Sequence, residues 1–233
     1  MVNFTNMNLP IKAIIFDLDG VIIDSNPAIV AFWNDWANQF GFQLTPEMIL
    51  EWVYGRKVTS TIEGLFAMTN QQEKDAIAAA GYAFDAAMHP TGIAGIQNFV
   101  KLLKAIDFPR GIATSSHKER MEQMLQRIGL PNYFEISVTA HDVSKGKPDP
   151  EPYLKMAAKL DLAPKDCLVF EDAISGVQSA IAAGMICIGI GNDTTILQLM
   201  TQGAAEVLPN FKSLTIQNNV LATINGNSYP LIY

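Results

Sequence analysis

The sequence predicts an α/β fold, a Rossmann-like parallel sheet with helices on both faces and an inserted α-helical cap, on three observations. Short all-apolar runs end abruptly in polar residues, as buried parallel strands do where they run into loops. Segments of helical periodicity lie between those runs, so that crossovers cover both faces of the sheet. The third observation is an interval: the first polar strand end, at Asp17, and the second, at Thr114, lie 97 residues apart. One strand-helix-strand unit needs only about 30.

The elements follow in chain order. Residues 13–16 form an all-apolar strand that stops at Asp17-Leu18-Asp19-Gly20. Asn26-Pro27 reads as an N-cap with proline at the first helical position, and Ile29, Trp33, Trp36 and Phe40 then share one face. Thr45-Pro46 opens a second helical segment. Asn70 with Glu73 three residues on resembles a capping box that starts a third, running through Met88. Pro90, Gly92 and Gly95 mark the return. The expected division is therefore a core of residues 1–24 and 91–233 with a helical cap at 25–90, hinged near Asp24 and Pro90.

Beyond the cap the rhythm resumes. A strand at 111–113 precedes Thr114-Ser115-Ser116, and Met121, Met124, Leu125 and Ile128 form a helical face that Gly129 stops. Asp149-Pro150 opens a helix through Leu160, and a strand at 168–170 runs into Glu171-Asp172. Ile174, Val177 and Ile181 mark another helix, stopped by Gly184, before a strand at 185–190. From about Ile196 a helix, a strand and a helix are expected to close the sheet.

Composition narrows the function. With 49% hydrophobic and 17% charged residues, the 233-residue chain has the makeup of one large core plus a modest appendage. Sixteen basic against 23 acidic side chains leave a net charge of −7. That balance argues against nucleic acid or an anionic membrane surface, either of which needs a clustered basic face. Cys167 and Cys187 both sit in apolar stretches and read as buried thiols in a reducing cytoplasm. The N-terminal region, with Lys12 before a short apolar run and then DLDG, fits neither a signal peptide nor an anchor. The longest apolar-leaning stretch, 180–190, contains two glycines and falls short of the roughly 20 residues of a spanning helix. A cytoplasmic protein is expected, and nothing in the chain speaks for a particular oligomeric state.

Four polar clusters fall at predicted strand ends: Asp17 with Asp19, Thr114 with Ser115, Lys147 within KGKPDP, and Glu171 with Asp172. In a parallel sheet such ends converge on one edge, where ligands bind. Two carboxylates one residue apart can divide the work, one facing the ligand as nucleophile or metal ligand and the other standing aside as acid and base. A third carboxylate, Asp172, completes an oxygen site suited to magnesium, and Lys147 adds positive charge. Thr114 Oγ and the Ser115 amide, read as lying at a helix start, form an anion cradle. Each of these residues taken singly could equally cap a turn or a helix; together they point to phosphate chemistry. His89, His117 and His141 lack ligand spacing and read as loop or cap residues. Gly55-Arg56-Lys57 falls between cap helices, either as an ordinary basic turn or as a loop that reads the substrate.

FDLDGVIIDS (16–25), ATSS (113–116), KGKPDP (145–150) and FEDAISG (170–176), in that order, resemble the haloacid dehalogenase-like superfamily. SKGKPDPEPYL with VFEDAISGVQSAIAAG is similar to the branch that holds sugar- and polyol-phosphate phosphatases and β-phosphoglucomutase. The resemblance implies that Asp17 attacks phosphorus and becomes an aspartyl phosphate. It implies that Asp19 protonates the leaving alcohol and later activates water, while Lys147 and Thr114 hold phosphoryl oxygens. It further implies magnesium on the Asp17 carboxylate, the Asp19 backbone carbonyl and Asp172, with Glu171 supporting the metal without touching it.

The same resemblance separates the activities. Dehalogenases of the superfamily lack the second aspartate, which is present here as Asp19. Enzymes resembling β-phosphoglucomutase carry a histidine early in the cap, where this chain has Ile29. YGRKVTSTI also looks more like the cap loop of the phosphatases. Hydrolysis of a small phosphorylated substrate is therefore expected over mutase chemistry. The intact Asp17 and Asp19 argue against a non-catalytic phosphate-binding module on the same fold.

Overall fold

A computed structural model describes residues 10–232. Its central sheet is six-stranded and parallel throughout, in the order β3-β2-β1-β4-β5-β6. The strands are β1 (Ala13–Phe16), β2 (Arg110–Ala113), β3 (Ile136–Val138), β4 (Cys167–Glu171), β5 (Ile186–Ile190) and β6 (Glu206–Leu208). β1 is central because all four of its residues are apolar and fully buried, which only a strand covered on both faces tolerates. Its alternate side chains go opposite ways. Ile14 and Phe16 join Phe99, Phe170 and Phe211 in one apolar cluster. Ala13 and Ile15 join Tyr153, Met156 and Val169 in the other.

Helices α5 (Ile96–Ala105) and α6 (Lys118–Arg127) bury Phe99, Leu103, Met121 and Met124 in the first cluster. Helices α7 (Glu151–Lys159), α8 (Ile174–Ala182) and α9 (Ile196–Thr201) supply Tyr153, Val177 and Leu199 to the second. Between β1 and α5 lie the four helices of the cap: α1 (Asn26–Gln39), α2 (Pro46–Trp52), α3 (Val58–Leu65) and α4 (Gln71–Ala87). They pack on their own cluster of Trp33, Val53, Ile62, Phe66 and Ile77. The two strands of chain that link cap and core run side by side. The Asp24 amide donates to the Thr91 carbonyl at 2.9 Å, and the Ile93 amide to the Ile22 carbonyl at 3.0 Å.

The capping box at Asn70 and Glu73 forms as its sequence predicts, and Thr45 caps α2 through the Met48 amide. Two expectations fail. Asn26 is not the N-cap of α1: Ser25 takes that position, and neither side chain caps the helix, because both are drawn to carboxylates of the core. The C-terminal segment after β6 is not a helix. It folds as a three-stranded antiparallel sheet of β7 (Thr215–Gln217), β8 (Val220–Ala222) and β9 (Ser228–Pro230). Asn218 and Asn219 both take positive φ, at 50° and 57°, the conformation a two-residue hairpin turn demands and asparagine tolerates. Buried Glu206 of β6 holds this sheet through Thr223 Oγ1 at 2.8 Å, Asn225 Nδ2 at 3.0 Å and the Tyr229 hydroxyl at 3.1 Å.

Candidate active site

The carboxyl ends of β1, β2 and β4 bring the predicted clusters together, and the loop before α7 delivers Lys147 between them. Lys147 is buried, and its Nζ donates to Asp17 Oδ1 at 2.7 Å, to the Ala113 carbonyl at 3.1 Å and to Glu171 Oε1. One cation thus joins three strand ends. Burial alone would lower the Lys147 pKa, but the Asp17 and Glu171 carboxylates outweigh it and hold the amine charged.

Asp17 is buried too, and burial pushes its carboxyl up to about 7 despite Lys147, with Glu171 and Asp19 adding repulsion. Asp172 is driven well above the ordinary carboxylate range by burial first, then by Glu171 and Asp17. Asp17, Glu171 and Asp172 offer oxygens within 4.8 Å of one another. Three carboxylates so close, with Asp17 and Asp172 both pushed up by burial, are what a divalent cation would relieve. Their partners divide the set. Glu171 accepts from Lys147, from the Tyr153 hydroxyl at 2.6 Å, and from the amides of Asp172 at 3.1 Å and Ala173 at 3.3 Å. It is fully engaged by protein donors. Asp172 accepts from Asn26 Nδ2 at 2.6 Å through Oδ2, whereas its buried Oδ1 has no hydrogen-bond partner among the described residues. That orphaned oxygen, beside Asp17, fits a metal.

The loop that carries Asp17 and Asp19 closes at Gly20, whose φ is +72°; a β-carbon there would lie 2.0 Å from Asp172 Oδ2 and 2.4 Å from Asn26 Nδ2. Only glycine lets β1 turn this close to the acidic cluster.

Asp19 has partners of its own. Ser25 Oγ donates to its Oδ1 at 2.6 Å, Ser116 Oγ to Oδ2 at 3.3 Å, and the Arg120 guanidinium bonds both oxygens, at 2.7 and 2.8 Å. Burial raises its pKa, but the Arg120 charge and these bonds prevail and hold it below the usual value.

Thr114 is buried at the end of β2, with its amide on the Val138 carbonyl at 2.9 Å. Ser115 Oγ donates to the Gly55 carbonyl at 3.1 Å, so the cap loop does reach down onto the site. Ser115 does not open the helix, as its sequence position suggested: α6 starts at Lys118 after His117, because Ser116 turns back on Thr114 Oγ1 first. Arg56 and Lys57 line the same cavity, although Arg56 Nε is spent on the Glu51 carbonyl at 3.0 Å and its guanidinium lies over the Trp52 ring. His117 and His141 stack with ring centroids 4.4 Å apart, His117 at the cavity wall.

The cavity has a volume of about 260 Å³ and is lined by residues of both core and cap. Its floor is Asp17, Asp19 and Thr114; its cap side is largely apolar, with Ile29, Phe32 and Trp33 prominent. Sequence reasoning missed Ser25, Asn26, Ser116, Arg120, Tyr153 and Asp85. Ser116 lies inside the quoted ATSS, and Arg120 follows it by one helical turn, a spacing that could have flagged the pair.

The sequence model of the haloacid dehalogenase-like hydrolases matches residues 14–190. The chain belongs to that family, and it is an enzyme of the phosphoric monoester hydrolase class. It is similar to hexitol phosphatase A of Escherichia coli, with 35% identity over 184 residues, 77% of this chain and 82% of that one. It is similar to the β-phosphoglucomutase of Bacillus subtilis, with 29% identity over 88% of this chain and 92% of that one. Among solved structures, a protein described as a β-phosphoglucomutase from Bacteroides vulgatus superposes with a TM-score of 0.73 at 28% identity, covering 88% of this chain and 86% of that one.

Proposed function

We propose that this chain is a magnesium-dependent phosphatase that hydrolyses a small sugar or polyol phosphate monoester through an aspartyl phosphate on Asp17. The observation that carries the proposal is the buried triad of Asp17, Lys147 and Asp172: a nucleophile on a lysine, beside a carboxylate oxygen with nothing to bind. The Asp17 carboxylate, the Asp19 backbone carbonyl and Asp172 would hold magnesium, with Glu171 kept off the metal by its four donors. Bound there, the ion supplies charge neutralisation between a dianionic ester and the carboxylates.

The chain's own residues do the rest. Asp17 forms an O–P bond as the ester's P–O bond breaks, and Asp19, held ionised by Arg120 in the resting site, first takes up a proton from solvent in place of one of its hydrogen bonds and passes it to the departing alcohol. A water then attacks the same phosphorus and yields its proton to Asp19, the acyl phosphate P–O bond breaks, and inorganic phosphate leaves with Asp17 restored. Thr114, Ser115 and Lys147 hold the phosphoryl oxygens, and Arg56 and Lys57 read the alcohol from the cap loop. The cap comprises residues 25–90 and excludes bulk water when it closes. A cavity of about 260 Å³ fits a small alcohol. The net charge of −7 disfavours nucleic acid, and two buried free cysteines suit a reducing cytoplasm.

Hydrolysis is favoured over phosphoryl transfer between sugar hydroxyls by Ile29, an apolar wall of the cavity where the mutase-like pattern places an imidazole. The test is phosphate release from a panel of hexitol, glycerol and sugar monophosphates with and without magnesium, beside a coupled assay for isomerisation of β-glucose 1-phosphate. Magnesium-dependent release from one or a few supports the phosphatase. Efficient isomerisation with negligible release overturns it.

A further inference from the structure

Two arginines of helix α6, seven residues apart on one helical face, bond or pair with the cap. Arg127 donates to the Met88 carbonyl and, at 2.9 Å, to the Ala86 carbonyl. These carbonyls end α4, where a cation is favoured. About two turns upstream, Arg120 stands between two carboxylates of different parts of the molecule. Its Nη1 and Nη2 hold Asp19 on the core at 2.7 and 2.8 Å, and its buried Nε lies at ion-pair distance, 3.2 Å, from Asp85 Oδ1 of the cap helix α4 without making a hydrogen bond. The Arg120 side chain is 11% exposed and Asp85 25%.

A carboxylate has about four lone-pair sites. On Asp19 all four are engaged, two by Arg120, one by Ser25 and one by Ser116. Ser25 begins the cap and Arg120 reaches Asp85 in the last turn of α4, so the groups that hold Asp19 touch the first and the last helix of the cap. Arg120 also bonds Ser116 Oγ at 2.7 Å, which makes the network continuous with the loop after β2.

We propose that Arg120 is a positioning residue that couples cap closure to the orientation of Asp19, with Asp85 as its partner on the cap. One guanidinium holds the proton-transferring carboxylate of the core and a carboxylate of the cap together, so closing the cap and aiming Asp19 become one event. The planar fork is what the task needs, because a lysine can neutralise but cannot grip both Asp19 oxygens while facing Asp85. Without the cation, Asp19 and Asp85 confront each other and the cap is pushed away. The proposal rests on the phosphatase reading for the role of Asp19.

The test compares the wild type with Arg120→Ala, Arg120→Lys, Asp85→Asn and the double variant Arg120→Ala/Asp85→Asn. kcat/KM is measured on whichever alkyl monophosphate the wild type hydrolyses and on p-nitrophenyl phosphate, whose leaving group departs without a proton. This ratio covers steps only up to loss of the alcohol, where Asp19 acts as acid. Arg120→Ala should lose about a hundredfold or more on the alkyl ester and about tenfold or less on the nitrophenyl ester, in line with the worth of a general acid. Arg120→Lys should recover the shared loss but not the difference between esters. The double variant should be faster than Arg120→Ala, because removing Asp85's charge relieves the confrontation.

Equal losses on both esters, or single losses that simply multiply in the double variant, overturn the proposal. Should the wild type release no phosphate from any ester, the phosphatase reading fails instead, and the tie itself is judged by hydrogen exchange. Faster exchange in the last turn of α4 in both Arg120→Lys and Asp85→Asn supports it, and unchanged exchange overturns it.

Discussion

Replacing Lys147 with methionine keeps the length of the side chain and removes the cation that, among the described residues, pairs with both Asp17 and Glu171. The variant loses the 2.7 Å bond to Asp17, the bond to Glu171 and the 3.1 Å bond to the Ala113 carbonyl. Breaking a buried ion pair by deleting one partner costs about 3–5 kcal/mol, because the other charge stays buried. Here the two carboxylates fare differently. Glu171 keeps the Tyr153 hydroxyl and two backbone amides, so it remains solvated by the protein. Asp17 is left beside Asp172 and responds by holding its proton, already retained up to about pH 7 with the lysine present.

The sign of the pH dependence follows. The variant's Asp17 binds a proton more tightly than the wild type's, so above about pH 7 the variant carries extra protons and falls further behind as pH rises. Thermal unfolding in the absence of magnesium should place the variant about 6–20 °C below the wild type near pH 8, using about 2–4 °C per kcal/mol for a chain of this size. The gap should narrow near pH 6, and magnesium should narrow it further near pH 8. A variant within about 2 °C of the wild type near pH 8 would refute the reasoning, since Lys147 would then not be the compensating charge.

Three further outcomes are expected. Asp17→Asn should reduce phosphate release to background while far-ultraviolet circular dichroism and the unfolding midpoint stay near wild type; substantial residual turnover would remove Asp17 from the nucleophile's role. Burial raises the Asp17 carboxyl from 3.8 to about 7, so the folded protein binds the extra proton and metal-free stability falls as pH rises across that window. Magnesium binds the ionised form, and the midpoint increase it produces should therefore be larger near pH 7.5 than near pH 5.5, read by differential scanning fluorimetry; a flat or inverted trend contradicts the assignment. Gly20→Ala forces a β-carbon to 2.0 Å from Asp172 Oδ2 at a φ of +72°. It should cost about 1–3 kcal/mol in urea unfolding and weaken magnesium binding in calorimetric titration; wild-type values in both would show that the loop yields freely.

Much of the site is legible in the sequence because strand ends are. An all-apolar run such as 13–16 that stops at charge fixes both a central strand and the side of the sheet where Asp17 emerges. The 97-residue interval reveals the insertion for the same reason of length. What escapes is anything that depends on which way a helix face points. Nothing in KERMEQ marks Arg120, which joins the site only because a 101-residue separation from Asp19 closes in space. Asn26 reads as a helix cap, but its side chain goes to Asp172 instead, and Ser25, which takes the cap position, gives its hydroxyl to Asp19. Tyr153 reads as core, which it is, yet its hydroxyl holds Glu171. The C-terminal sheet has its signal in two adjacent asparagines, Asn218 and Asn219, which form a turn where a helix was expected.

The most direct test of the central claim is to trap the covalent state. The protein is mixed with magnesium and a hydrolysed monophosphate, quenched within its first turnover, treated with borohydride, and the peptide carrying residue 17 is sequenced by mass spectrometry. An acyl phosphate on Asp17 is reduced to homoserine at position 17, dependent on both substrate and magnesium, and this is the predicted result. Phosphate release without that conversion, or conversion at another carboxylate, would contradict it.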